Sequence, residues 1–374
     1  MRIVEVSHHA ITPYDAGNTP AIDGASTAWR NDEYVKKHYF AFTTLRYNRH
    51  DGYLYCGVTN FGSDLLHRFD PRTKQFESMK FAGAPFVEKF DIKLHRSVEV
   101  GNDGSVYGAT SCLHNVDERM DGVGGKLFRF DPVGRTYSLL SIPREYDYIQ
   151  TISLDDVRGM LYGFTYPVFH FFAFSIKENR VVFCNYMASI SHISAIDDNG
   201  CYWGTWGLGL HNLFHYDPTV NRVIYHRHGF PEKCLSLMYP DAGPIDCMVN
   251  GRDGFLYVAT ENGHLYRLNP RDASLEFLGK PFPGTRMPGL ILGDDGLLYG
   301  CGGDDNTCVV FTYDRTRRAF DILGNIVDSK QNLPCYRTHD IAKIGDTLYV
   351  AETDNPKGGQ YLWECRIDED RRRG

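Results

Sequence analysis

Along the chain an apolar residue followed by an aromatic recurs seven times, as Leu54-Tyr55, Val106-Tyr107, Leu161-Tyr162, Tyr202-Trp203, Leu256-Tyr257, Leu298-Tyr299 and Leu348-Tyr349. Successive aromatics are 52, 55, 41, 54, 42 and 50 residues apart. Most pairs follow an alternating or apolar run and a tight-turn signal: Asp51-Gly52, Asp103-Gly104, Asn199-Gly200, Asp253-Gly254 and Asp295-Gly296. Such dipeptides fit two-stranded hairpins because both residue types tolerate positive φ. Downstream, a third run ends in Phe69-Asp70-Pro71, Phe130-Asp131-Pro132, Tyr216-Asp217-Pro218, Leu268-Asn269-Pro270 or Tyr313-Asp314-Arg315. A fourth short run follows, as in Gln75–Ser78 and Arg222–Tyr225. Four strands per unit, repeated seven times, predict an all-β, seven-bladed β-propeller. No segment shows helical periodicity.

The seventh unit, from His339 through Tyr361-Leu362-Trp363-Glu364, stops before a fourth strand. Residues Arg2 to Val6 are predicted to supply it, closing the ring and removing the last open sheet edge. The whole chain, 1–374, then reads as a single domain with residues 8–40 as an N-terminal extension across the propeller.

Propeller geometry maps this repeat onto two faces. The starts of the innermost strands and the loops between second and third strands share one face; the Asp-Gly turns lie on the other. The first face collects His95, Gln150, His192, Asp246, Arg286, Arg337 and His339 from strand starts. Loops add Asn60, His114, Tyr166, His170, Trp206, His211, Asn262, Asp304, Asp305 and Asp354. A central funnel of His, Arg, Tyr and Trp suits an anionic, hydroxyl-rich ligand such as an acidic sugar, because arginine forks hold carboxylates and aromatic faces pack on sugar rings. The bland readings are a channel histidine bonded to a neighbouring carbonyl, a Tyr166 packed under its loop, and Asp-Gly pairs that are turns. Asp304-Asp305-Asn306 is the one weak cation signal.

Composition narrows the classes. With 42% hydrophobic and 23% charged residues, the 374-residue chain is globular, and disorder is excluded. Lysine plus arginine is 40 and aspartate plus glutamate 47, so the formal charge is −7 and no nucleic-acid partner is expected. The longest apolar stretch, Val168 to Ile176, is broken by His170 and far too short to span a bilayer, so no membrane crossing is expected. Met1 to His9 lacks an apolar signal core, which gives a cytoplasmic expectation unless a leader has been removed. Ten cysteines occur without a CxxC pair, and those in strand-like runs (Cys56, Cys184, Cys247) read as buried free thiols. No cofactor is required, a structural calcium or zinc ion is left open, and oligomeric state is not legible.

Four short motifs carry a resemblance: Lys93-x-His95-x-Ser97, Leu161-Tyr162-Gly163-Phe164-Thr165 followed by Tyr166-Pro167, Ser191-His192, and Tyr361-Leu362-Trp363-Glu364. Together they resemble seven-bladed propeller uronate lyases acting on rhamnose–glucuronate linkages, of the ulvan lyase and rhamnose–glucuronate lyase types, with a related group of propeller rhamnosidases. The likeness runs over nearly the whole chain at the level of blades. It implies β-elimination from a glucuronate-containing glycan, which needs a group to neutralise the carboxylate, a base for the C5 proton and an acid for the departing oxygen. The resemblance implies His95 as base and Tyr166 as acid or shared acid–base. The face map adds Arg337 and Arg286 as carboxylate clamps, His192 and His339 as orienting or neutralising groups, and Trp206 as a sugar platform. His114, His211, Gln150 and Asn60 complete the expected substrate-binding set.

Three other readings compete. A glycoside hydrolase acting on rhamnosyl-glucuronate would want paired carboxylates, and Asp246 is the main one at the strand starts. A non-catalytic binding platform is common among propellers. A lactonase-type propeller with central calcium would want more acidic or amide residues than Asp246, Asn60 and Asn262.

Overall fold

The computed structural model describes residues 1–14, 32–112, 119–231, 243–356 and 359–368. They form seven four-stranded antiparallel sheets, the blades, each built in sequence order from the inside out except the last. Innermost strands are Ala41–Asn48, Val98–Val100, Tyr148–Asp155, Ala195–Ile196, Ile245–Asn250, Gly289–Leu292 and Thr338–Ile344, for blades one to seven. In blade seven the outermost strand is Arg2–His9, paired with Leu362–Asp368, so the predicted closure is present. That strand runs three residues further than the sequence pattern implied. His9 Nε2 bonds Glu364 Oε2 at 2.7 Å and His8 Nδ1 bonds Asp328 Oδ2 at 3.0 Å.

The recurring aromatic has a local cause. In blade one the Asp51 carboxylate accepts from the Tyr53 backbone N–H (3.1 Å) and from the Tyr55 hydroxyl (2.7 Å). The same lock recurs at Asp253 with Tyr257 (2.9 Å) and Asp295 with Tyr299 (2.6 Å), and in blade four Trp203 Nε1 donates to Asp197 Oδ2 (2.9 Å). Each turn carboxylate therefore stabilises its own hairpin and satisfies the one polar atom of a buried ring. The rings fill the space between neighbouring blades, as Tyr257 and Tyr313 do with Phe311 between blades five and six.

One short α-helix, Glu33–His38, departs from the all-strand expectation. At six residues it is too short to register as a periodic pattern, and it is held by its cap: Asp32 accepts from the N–H groups of Tyr34 (2.8 Å) and Val35 (3.1 Å). Asn60 fixes it to blade one by donating to Lys36 O (2.9 Å) and Tyr39 O (3.0 Å). Among the described residues no helix is long and apolar enough to cross a membrane, and all nine described cysteines are free; Cys56 and Cys247 are buried as expected, but Cys184 is exposed because it lies on an outermost strand, Arg180–Tyr186.

Deleting residues 1–9 strips an edge strand with its two histidine–carboxylate bonds. The expected cost is more than about 4 kcal/mol, or about 5 °C in Tm. Thermal denaturation of the truncated chain checks this; an unchanged Tm would show that the ring does not depend on its closure.

Candidate functional site

The floor of the funnel is made by β-bulges. Inner strands of blades one, three, five and seven each carry one extra residue against their partner strand: Thr43, Gln150, Asp246 and His339. A bulge turns a side chain out of the sheet alternation and frees a backbone carbonyl. Both effects are used here. His95 Nδ1 donates to the Gln150 carbonyl at 3.0 Å, and His339 Nδ1 donates to the Thr43 carbonyl at 2.9 Å. A carbonyl only accepts, so these contacts fix Nδ1 as the protonated nitrogen and leave each Nε2 with a bare lone pair. His192 Nδ1 is bonded to a carboxylate, Asp246 Oδ1, at 3.3 Å. The three rings gather around His95, with centroids 5.3 Å (His192) and 5.1 Å (His339) away.

These histidines are neutral. Burial drives His95 well below its ordinary value, with Lys93, His339 and His192 adding repulsion. Burial does the same to His339, helped by Arg96, and brings His192 down to about 4 against the pull of Asp246. Asp246 moves the other way: burial opposes its charge, but Arg286 and His192 hold it well below the carboxylate range. Arg286 grips it in two-point fashion, Nε to Oδ2 at 2.9 Å and Nη2 to Oδ1 at 3.0 Å, and Met287 N–H adds a bond at 3.0 Å.

Two cations that sequence reasoning did not single out belong to the same cluster. Lys93, two residues before His95, is drawn down to about 8 by burial, with Asp354 opposing and Arg96 assisting. Arg96 is fully buried and reaches across the channel to donate to Pro288 O at 2.6 Å. Strict alternation puts Lys93 with His95 and turns Arg96 away; the left-handed backbone of Arg96 (φ 47°) reverses that. Only the spacing Lys93-x-His95 was a readable signal.

The remaining expected residues divide. Gln150 belongs to the cluster through its carbonyl, and its side-chain oxygen accepts from Ser111 Oγ at 3.2 Å. Tyr166 ends the second strand of blade three, paired with Tyr148 two residues before Gln150, and its half-buried ring packs on Phe169 at 5.7 Å. Burial, and then Cys112, raise its hydroxyl above the ordinary tyrosine value; Cys112 is also within electrostatic reach of Lys93. Arg337 sits at the rim, with Nε on Asp304 Oδ1 (2.8 Å) and Nη1 on Asp354 Oδ2 (3.3 Å). Arg337 thus occupies Asp304, one of the two carboxylates in the Asp304–Asn306 cluster that read as a cation signal. Trp206 donates to Leu213 O (3.0 Å) and His226 O (3.3 Å) within its own blade, and His211 bonds Ser189 Oγ at 2.8 Å. Asn60 is occupied on every polar atom: besides its two donations to the helix, Oδ1 accepts from Gly62 N–H (2.9 Å) and Asp64 N–H (3.2 Å). His114 lies outside the described residues. Among the described residues no group of three or more His, Cys, Asp and Glu is arranged to hold a metal ion.

Fold and site together define a seven-bladed β-propeller with a cation- and imidazole-lined axial funnel. Among solved structures, the chain is similar to virginiamycin B lyase from Staphylococcus aureus, at TM-score 0.62 and 12% identity over 88% of this chain and 95% of that one. It is also similar to a streptogramin B lyase (TM-score 0.64, 10% identity, 97% of each chain) and to the WD40 repeats of RRP9 (TM-score 0.59, 10% identity, 89% and 96%). At such identities the likeness is one of fold. No protein-family model and no curated protein sequence matches the chain.

The neutral histidines make stability pH-dependent. His192 titrates near 4 when folded and near 6.5 when unfolded, so between those values the unfolded chain binds the extra proton. Its contribution is complete above pH 6.5 and is lost as pH falls toward 4. Urea midpoints measured across that window should fall in the native chain. In His192→Gln the slope should be shallower by about 1.4 kcal/mol per pH unit at most.

Proposed function

We propose that the protein is a carbon–oxygen lyase that cleaves a glucuronate-containing glycan, at a rhamnose–glucuronate linkage, by β-elimination. The observation that carries this reading is His95: a neutral imidazole whose Nδ1–H is anchored on the Gln150 carbonyl, leaving Nε2 as a bare base inside a funnel lined by Lys93, Arg96 and Arg286. The short motifs around His95, Tyr166 and His192 support the substrate class. Further support comes from the names of similar folds, which include lyases, one of them a catalytically inactive histidine-to-alanine variant in complex with quinupristin.

In this scheme the uronate carboxylate lies against the funnel cations, which stabilise the negative charge that builds as the C5–H bond breaks. An anion placed beside His95 offsets the repulsion from Lys93 and restores basicity to Nε2. His95 Nε2 takes the C5 proton, the C–H electrons form the C4–C5 double bond, and the C4–O bond breaks. Tyr166 supplies the proton that the leaving oxygen takes up. A hydroxyl raised by burial suits this acid role; it does not suit a base. His192 and His339, with their Nδ1–H groups anchored, accept from sugar hydroxyls through Nε2.

The hydrolytic alternative is weaker because Asp246, the main strand-start carboxylate, is saturated by Arg286, Met287 N–H and His192 and held ionised, which leaves it unsuited to give up a proton.

Ultraviolet absorbance of the protein mixed with ulvan or gum arabic is the test, since elimination creates a conjugated unsaturated uronate. A rise is expected. It should drop at least about 1,000-fold in His95→Ala and about 100-fold in Tyr166→Phe, with near-native melting curves. Released rhamnose without absorbance would transfer the protein to the hydrolases; neither signal would favour the platform reading.

A further inference from the structure

Beneath the ring of histidines, Arg96 presents an imbalance that the protein does not resolve. Its side chain is fully buried. Nη1 donates to Pro288 O at 2.6 Å, but Nε and Nη2 have no hydrogen-bond acceptor. The carboxylate in reach, Asp246, stands 4.0 Å from Nη2, with its oxygens already engaged by Arg286, Met287 N–H and His192. Asp340, also within electrostatic reach, accepts from Leu45 N–H (2.8 Å), Ile341 N–H (2.9 Å) and Arg46 Nη1 (3.1 Å). Leaving the Nε–H and both Nη2–H bonds of a guanidinium dry costs several kcal/mol, so the channel must hold an acceptor there.

The acceptor is either water or an anion, and charge decides between them. Arg286 is paired with Asp246 and Arg46 with Asp340 and Glu99, and Glu261 lies within electrostatic reach of Arg286; Arg96 is the buried arginine of this group with no carboxylate in hydrogen-bond contact. The histidines above are neutral, and Lys93 adds positive charge at the mouth. In a low-dielectric throat this arrangement favours a negative occupant over a neutral one. Two roughly parallel N–H donors also match the geometry of a carboxylate.

We infer that the throat of the channel is a binding site for a small monovalent anion, a carboxylate such as formate or a halide, held by Nε and Nη2 of Arg96. The inference does not rest on the elimination reading: that reading counts Arg96 among the funnel cations, but the seat needs neither a sugar nor a catalytic base. Its occupant comes either from free ions or from the anionic end of a larger ligand.

Thermal denaturation of the full chain in formate and in bromide tests this, with ionic strength held constant by a bulky sulfonate that the throat excludes. The expected result is a saturable rise in Tm of about 3 °C at one hundred times the dissociation constant. Arg96→Gln should abolish the rise, while Arg337→Gln at the rim keeps it. Crystals soaked in bromide supply a readout that survives a misfolded variant: an anomalous peak within hydrogen-bond distance of Arg96 is expected. A throat holding only water, with no saturable anion effect, would overturn the inference. If the small ions bind and an acidic oligosaccharide displaces them, the seat takes the ligand's anionic end; if both bind together, it is a site for free ions. Loss of lyase activity would leave either result standing.

Discussion

The funnel depends on one backbone device: a single extra residue at the inner start of alternate blades. A strand in strict alternation points every second side chain into the packing between blades. The bulge turns one of them to the axis and exposes the carbonyl beside it. Thr43, Gln150, Asp246 and His339 are these residues, and each has a direct part in the site. Two give carbonyls that set histidine tautomers, one is the central carboxylate, and one is itself a histidine. Blades two, four and six reach the same place differently. Their inner strands are short, beginning only at Val98, Ala195 and Gly289, so the residues before them are free to fold inward. His95, His192 and Arg286 come from those lead-ins, and Arg96 and Arg286 do so with left-handed backbones (φ 47° and 66°) that cost a non-glycine residue about 1 kcal/mol or more.

This explains which parts of the molecule could be read from the chain. The blade count, the turn positions and the closure by the N-terminal strand follow from a period that repeats seven times, so errors at single positions average out. In four blades a ring-to-turn bond, as between Tyr55 and Asp51, gives that period a physical origin. The helix at Glu33–His38 lay below the length at which periodicity is visible. In the site, the face map brought His95, His192, His339, Gln150, Asp246 and Arg286 to one place. It did not foresee Lys93 and Arg96, because a bulge or a left-handed residue overrides alternation without leaving a mark on the hydrophobic pattern. Loop residues such as Asn60 and Trp206 illustrate the reverse: face membership says where a residue is, while its backbone partners decide what it is free to touch.

The pairing of neutral bases with fixed cations has its own logic. Three imidazoles at close quarters would repel one another if protonated. Their carbonyl and carboxylate anchors keep them oriented while burial keeps them uncharged. Positive charge is then confined to groups that hold it at neutral pH, so bare lone pairs and fixed charge sit on different residues. Any chemistry in the funnel inherits that division.

Blade seven joins Arg2 to Asp368 and His9 to Leu362, almost the full length of the chain apart. During synthesis the Arg2–His9 strand is made long before its partner, Leu362–Asp368. Throughout translation it is an unpaired edge, and the six blades before it enclose an axis that cannot close. The ring therefore cannot close until Leu362–Asp368 is available, and until then its exposed strands are the surfaces that a chaperone would guard.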